Sequence, residues 1–340
     1  MLMKSIITNG SGRIEIPSSS FFTKLFFPIY ENFNQEHFDV TFKIPKCFKK
    51  IVRLVYKFHK QKCNLECAKC RKVEINSKSN RVVLGFSGGL DSCYQAFYLR
   101  KLGYKVILYY VKNINFYENG QAYKAALEFA NKYNFKLVEA NFVRNSNKDN
   151  PKRQFWNENP VKNQLILSMM CDFCLDNKIH YISLGDDFGL SIENATLGVN
   201  LTDAKQITKS FLRGINKISN DSFEFLKANR KIDKGKRLKL FVKNGCLDVY
   251  YSCLSPGRFN KTWRNNNINK FKVDLPKNNC GSCKKCVMHW LMLRYLNLTK
   301  SNKDFEKHCW EILSSKKNNA YTHIFNGNST EENIKRLFEY

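Results

Sequence analysis

The sequence predicts an α/β fold: a doubly wound parallel sheet, with a C-terminal four-cysteine zinc subdomain and an N-terminal extension. Three observations predict it. Short apolar runs alternate with helical patterns between residues 81 and 185. A run of Ser-Gly-Gly-Leu-Asp-Ser stands between the first strand and the first helix of that series. Near the C-terminus, Cys280, Cys283 and Cys286 are evenly spaced, with Cys253 upstream.

The first strand is Arg81-Val82-Val83-Leu84-Gly85-Phe86. Ser87-Gly88-Gly89-Leu90-Asp91-Ser92 follows as a turn, and then Tyr94, Phe97, Tyr98, Leu99 and Leu102 recur at helical spacing up to a stop at Gly103. Two adjacent glycines let a backbone pass close to a bulky anion, and the open N–H groups of a helix start face it. Ser87 and Ser92 add hydroxyl donors. Asp91 repels phosphate unless a metal ion or a water lies between them. The loop is neither a Walker A loop nor a dinucleotide fingerprint, because it lacks Gly-Lys-Ser/Thr and a third glycine. The alternative is a chance Gly-Gly turn in a βα unit.

Residues 105–111 form the second strand and 122–133 a helix, with Ala126, Leu127, Phe129 and Ala130 on its apolar side. The third strand is 136–142, and 145–159 a polar loop. An apolar helix over 161–175 leads to a fourth strand ending at Gly185. Ligands of such sheets gather at the carboxyl ends of the strands, which places Phe86, Val111, Gly185 and the loop on one side. Cys171 and Cys174 sit inside the apolar helix and read as buried thiols. A further helix spans 204–217, and 219–245 is basic with helical tendency. Residues 258–272 mix Lys, Arg and Asn with Phe259, Trp263 and Phe271, which suits single-stranded nucleic acid or a basic capping loop.

Cys253 with Cys280, Cys283 and Cys286 offers four thiolates to tetrahedral zinc; an iron–sulfur cluster is the alternative. A helix through Trp290, Leu291, Leu293 and Leu296 follows.

Residues 1–80 read as an extension, 81–250 as the α/β domain that carries the glycine loop and 251–340 as the metal-binding helical region. Within the extension, 13–17 and 37–45 pattern as strands. Phe21, Phe22, Leu25, Phe26 and Phe27 are an apolar patch for a core, and 46–62 is a basic amphipathic helix whose plain reading is a solvated face over a core. Cys63, Cys67 and Cys70, with Cys47 or His59, fit either a zinc knuckle or an unmetallated cluster.

The formal net charge is +28, with 57 Lys and Arg against 29 Asp and Glu. It points to a polyanionic partner, or else to Lys- and Asn-rich drift. The 340 residues, 43% hydrophobic, suffice for a sizeable core. The 13 cysteines cluster, as thiols or metal ligands do in a reducing compartment. No run reaches the roughly 18 apolar residues of a membrane span, and no signal sequence is evident, so a cytoplasmic protein without a membrane partner is expected.

The Ser87–Ser92 loop resembles the PP-loop of the ATP pyrophosphatase superfamily. With Asn159-Pro160-Val161-Lys162-Asn163-Gln164, Tyr251-Ser252-Cys253 and Cys280-Gly281-Ser282-Cys283-Lys284-Lys285-Cys286, the stretch from Arg81 to Leu298 resembles the QueC-like 7-cyano-7-deazaguanine synthase family. The resemblance implies a PP-loop sheet and an ATP-dependent carbon–nitrogen ligase that adenylates a carboxylate such as 7-carboxy-7-deazaguanine and lets ammonia displace AMP, as in queuosine biosynthesis. It implies Asp91, Ser92 and Lys162 as catalytic groups. Phe86, Ser87, Gly88, Gly89, Leu90, Val111, Asn163 and Gly185 would bind ATP with Mg²⁺. Structural zinc and a homodimer complete the expectation. The chain departs from the family at Lys162, which stands where the family has Arg. It departs again in its first 80 residues and in the long stretch between Cys253 and Cys280. QueC-like proteins also occur in anti-phage operons, so a macromolecular acceptor, either protein or nucleic acid, is the alternative product.

Overall fold

A computed structural model describes residues 4–9, 12–17, 20–26, 42–58, 65–68, 72–75, 79–112, 120–143, 162–185, 201–226, 234–251, 253, 266–273, 275 and 279–314. In chain order, strands β1 (Lys4–Asn9), β2 (Gly12–Pro17) and β3 (Phe42–Pro45) precede helix α1 (Lys49–Phe58), strand β4 (Leu65–Ala68) and strand β5 (Arg81–Gly85). Helix α2 (Leu90–Lys101), β6 (Lys105–Lys112), α3 (Gln121–Lys132), β7 (Lys136–Val143), α4 (Lys162–Asp176) and β8 (Tyr181–Leu184) follow. Then come α5 (Leu201–Ile218), β9 (Glu224–Leu226), α6 (Lys234–Lys243), α7 (Lys284–Tyr295) and α8 (Lys303–Ser314).

The main sheet has the order β1-β2-β7-β6-β5-β8-β9. β7, β6, β5, β8 and β9 pair in parallel, while β1 and β2 add an antiparallel hairpin at the β7 edge. From β5 the order runs outward to β6 and β7, then jumps back to β8 and β9 on the other side. That reversal is the doubly wound topology, and it places the switch between β5 and β8. Val82, Val83 and Leu84 of β5 are fully buried, as expected of a strand covered on both faces.

Two compact units divide the chain. The first comprises residues 1–86, 95–116 and 135–228, and the second comprises 87–94, 117–134 and 229–340. The first holds the sheet and the larger apolar core, where Val83, Ile107 and Ile182 of the strands meet Leu165 and Met170 of α4 and Phe211 of α5. Residues ahead of the sheet join that core: Phe22, Phe26, Phe48, Ile51 and Val52 are all fully buried in it. Of the expected apolar patch, Phe22 and Phe26 are core, Phe21 and Leu25 pack half-buried against it, and Phe27 lies outside the described residues. Cys171 and Cys174 are also buried there, as predicted.

Between those thiols, Asp172 accepts the backbone N–H groups of Phe21, Phe22 and Thr23 at 2.7, 2.7 and 2.8 Å. It caps the helical turn over 22–26 from far along the chain. Burial pushes its carboxyl up from 3.8 to about 6, against the pull of those hydrogen bonds.

Two sequence expectations change. Residues 224–226 form a strand, β9, where helix was expected, because they extend the parallel ladder beside β8. On α3 the buried face is Ala125, Ala126, Phe129 and Ala130, and Leu127 is exposed. The polar loop 145–159, Phe259 and Trp263 lie outside the described residues. Among the described residues no helix is long and apolar enough to cross a membrane.

Candidate active site and metal centre

The chain leaves the sheet at Phe86, whose N–H still bonds the Tyr109 carbonyl of β6 at 2.9 Å. The next six residues belong to the second unit. Gly88 has φ +71°, a left-handed conformation that strains any residue with a Cβ. A Cβ there would also come within 3.3 Å of the Ala122 carbonyl and 3.5 Å of the Ala126 nitrogen, so the loop runs against the backbone of α3. Ser92 is buried and donates its hydroxyl to the Gly89 carbonyl at 3.0 Å. Its Oγ lies 3.2 Å from that of the exposed Ser87, which stapled this way keeps the turn tight. Among the described residues, the N–H groups of Gly88 and Leu90 have no internal acceptor. They open the first turn of α2, where a helix presents partial positive charge to an anion.

Asp91, in that first turn, is held by a residue the sequence did not single out. Arg237 of α6 places Nη1 2.5 Å from Asp91 Oδ1 and lays its guanidinium over the Tyr94 ring, 5.1 Å from the centroid. The Arg237 side chain is 11% exposed and that of Asp91 36%, so the cation is the more buried partner. In sequence Arg237 is one of several cations on a basic helix; only the folded contact distinguishes it. Below the loop, the Cys93 thiol donates to the Gly88 carbonyl at 3.5 Å, and burial pushes its pKa up, with Cys246 and Asp91 adding to the effect. It is an unreactive, neutral thiol.

The same Gly88 carbonyl accepts the Tyr251 N–H at 2.6 Å. Tyr251 in turn packs against four buried thiols, Cys253, Cys280, Cys283 and Cys286. Their sulfurs all lie within 4.8 Å of one another and could hold a metal ion. Cys283 ends the approach to α7 and accepts the Cys286 N–H at 3.5 Å. Gly281 has φ +75°, and a Cβ there would meet Leu275 Cδ1 at 2.6 Å, so the turn between the ligands admits glycine alone. Hydrogen bonding from Cys253 holds Cys280 and Cys283 low, while burial pushes Cys286 up. One continuous path thus runs from the cysteine centre through residue 251 to the loop.

The other predicted site residues belong to the first unit. Val111 is near the end of β6 with its side chain in the apolar core, which leaves only its main chain for a ligand. Gly185 follows β8 directly, and Asn163 is half-buried in the first turn of α4. Lys162 opens α4, and its side chain lies outside the described residues. Cys63, Cys70 and His59 lie outside them too, as does the side chain of Cys67, while Cys47 is half-buried against the larger core.

No protein-family model matches the sequence, and no curated protein matches it. Among solved structures, the chain is similar to the U34-tRNA thiolase NcsA from Methanococcus maripaludis, with its 4Fe-4S cluster, at 18% identity. That likeness covers 66% of this chain and 75% of the other, with a TM-score of 0.35. The parallel sheet, the glycine loop and the four-cysteine centre stand on this chain's own geometry.

Proposed function

We propose that the chain is an ATP-dependent carbon–nitrogen ligase that activates a carboxylate by adenylation. The observation that carries this reading is the loop itself: a left-handed Gly88 against the α3 backbone, two open N–H groups at a helix start, and a carboxylate in the same turn. The N–H groups of Gly88 and Leu90 and the Ser87 hydroxyl would hold phosphate oxygens. Asp91 would hold Mg²⁺, which neutralises phosphate charge there. Taking Asp91 for the metal ion frees the Arg237 guanidinium, and its fork of donors suits a phosphate oxygen pair. The family resemblance alone gives Lys162 the role of meeting the developing negative charge.

The reaction balances as follows. A carboxylate oxygen of the substrate attacks the α-phosphorus, the bond to the β-phosphate oxygen breaks, and pyrophosphate leaves with the electron pair. The nitrogen of ammonia attacks the acyl carbon, loses a proton, and AMP leaves. A second adenylation, at the amide oxygen, releases a second pyrophosphate; loss of AMP, which carries that oxygen away, and of both nitrogen-bound protons gives a nitrile. For the QueC-like substrate the product is 7-cyano-7-deazaguanine, a step of queuosine biosynthesis. Incubating the protein with ATP, Mg²⁺, ammonia and 7-carboxy-7-deazaguanine should release AMP, pyrophosphate and the nitrile. Absence of AMP with any carboxylate and amine pair would sink the reading.

The four thiolates suit a single tetrahedral zinc ion. Sulfurs about 2.3 Å from one ion lie about 3.8 Å apart. Cys253 to Cys283 is 3.9 Å and Cys280 to Cys286 is 4.0 Å. An iron–sulfur cube needs its ligands spread around four irons, wider than this set. Zinc here is structural: it fixes the segment 251–253, and so the partner of the Gly88 carbonyl.

In a second reading the activated acyl group passes to an amine on a macromolecule, as in anti-phage defence or tRNA modification. The net charge of +28 favours it. Mass analysis of co-purified protein and nucleosides should find the adduct.

A further inference from the structure

Two helices of the first unit carry cations that the nucleotide site does not use. The turn before α1 and α1 itself expose Lys46, Lys50 and Arg53. Helix α5 exposes Lys209, Arg213 and Lys217. Spacings of three and four residues put each triple along one side of its helix. The opposite sides are apolar and buried: Phe48, Ile51 and Val52 on one, Ile207, Phe211 and Ile215 on the other. The two helices touch through those sides. The Phe48 and Phe211 rings stack at 5.8 Å and 11°, and a Cβ on Gly214 would come within 2.6 Å of Phe48 Cε1.

None of the six cations has a hydrogen-bond or ion-pair partner among the described residues. Helix α1 contains no acidic residue, and Asp203 near the start of α5 is the one acidic residue of that helix. Glu74, which accepts a hydrogen bond from Asn220, and Asp221 mark the border past the end of α5. Like charges four residues apart repel, so the arrangement destabilises both helices until an anion lies across it.

We infer that these stripes form one surface for the backbone of a double-stranded nucleic acid. The chemistry separates this partner from others. Among the described residues, none of the exposed large hydrophobics, Leu102, Leu127 and Leu240, lies on either helix, so the described part of the surface lacks the wedge an interfacial membrane helix inserts. Among the described side chains of the two helices there is also no exposed aromatic for a protein hot spot or for stacking single-stranded bases. Rows of unpaired cations without such anchors suit a continuous line of phosphates. The inference deepens the second reading above by naming its acceptor class, yet it stands or falls on binding alone.

The test uses the full-length protein and fluorescence anisotropy with a labelled RNA hairpin and a DNA duplex of matching sequence. Binding should weaken about a thousandfold between 50 and 200 mM salt, with a log–log slope near about −5 for six phosphates. Lys46→Gln/Lys50→Gln/Arg53→Gln should roughly halve the slope, as should Lys209→Gln/Arg213→Gln/Lys217→Gln, and the combined variant should abolish binding. Circular dichroism and ATP binding, which these residues do not touch, report folding. Glutamate reversals at the same positions should lose more affinity than the glutamine sets. Equal slopes for folded variants and wild type would overturn the inference. So would polyglutamate binding as tightly as the hairpin. Loss of AMP release with hairpin binding intact would sink the ligase reading alone.

Discussion

The core beneath the parallel sheet and the core around the four cysteines are ordered by different means. The first draws buried apolar side chains from strands and helices along most of the unit, including the N-terminal Phe22, Phe26 and Phe48, and its strands hold each other by ladder hydrogen bonds. The second has a small apolar cluster around Trp290 and Phe305, and beside it residues 251, 253 and 279–283 run without helix or strand. What gathers those residues is four thiols. Apolar packing is spread over many contacts and loses a little with each one removed. Order that an ion held by those thiols would impose is concentrated in one place, and would go with it.

Metal removal should expose that contrast most sharply. Chelation, or Cys280→Ser, should release amides of 279–295 to hydrogen exchange, since structural zinc is worth about 10–16 kcal/mol to small sites. Amides of β5 and β6 should stay protected, and ATP affinity should fall because the Gly88 carbonyl loses Tyr251. Unchanged exchange in metal-free protein would erase the distinction.

Inside the sheet unit the corresponding concentrated feature is Asp172. Asp172→Ala leaves three buried N–H groups without an acceptor, and denaturant melts should show a loss of about 3 kcal/mol. The same carboxyl sets a pH dependence. Its folded pKa of about 6 lies above the ordinary 3.8, so the native state holds its proton more tightly. The stability it contributes is complete below pH 3.8 and fades as pH rises through 6, by about 3 kcal/mol. From pH 4 to 7, wild type should therefore lose stability relative to Asp172→Asn; parallel melting curves would contradict this.

Gly88→Ala tests the loop with a smaller change. Its left-handed φ should cost about 1–2 kcal/mol in melting experiments, and calorimetry should find ATP binding reduced more than stability. Smallest is Arg237→Gln. An ion pair whose carboxylate keeps 36% of its side chain exposed contributes up to about 1 kcal/mol, so the melting temperature should barely move while the Mg²⁺ and ATP dependence shifts. A fall in stability without any shift in ATP affinity would make Arg237 a packing residue.

The central strands β5, β6 and β8 were legible because buried strands leave nearly unbroken apolar runs between polar turns. The cysteine centre was legible because covalent spacing fixes which sulfurs can converge. Other features left no local trace. The three-residue β9 is too short for a periodicity and exists only because β8 offers it an edge. Leu127 looks like a core residue, and its exposure is decided by the angle at which α3 lies down. Arg237 is indistinguishable in sequence from Lys236 and Lys239 beside it, and the backbone N–H of Tyr251 has no sequence signature at all.

The hydrogen bond from Tyr251 to Gly88 also bears on how the chain is made. Synthesis runs from the N-terminus, and domains tend to fold as they emerge. The sheet strands through β9 and their apolar core are complete by residue 228, but the second unit gathers residues 87–94, 117–134 and 229–340. The loop therefore waits, unfinished, while the ribosome adds α6, residue 251 and finally the cysteines at 280–286. A nascent chain of that length would carry a folded sheet and a loop with its last brace missing. If the loop holds a nucleotide as proposed, its brace is in place only once residue 251 has been made, and a ribosome-stalled fragment ending before that residue would be a sheet without it.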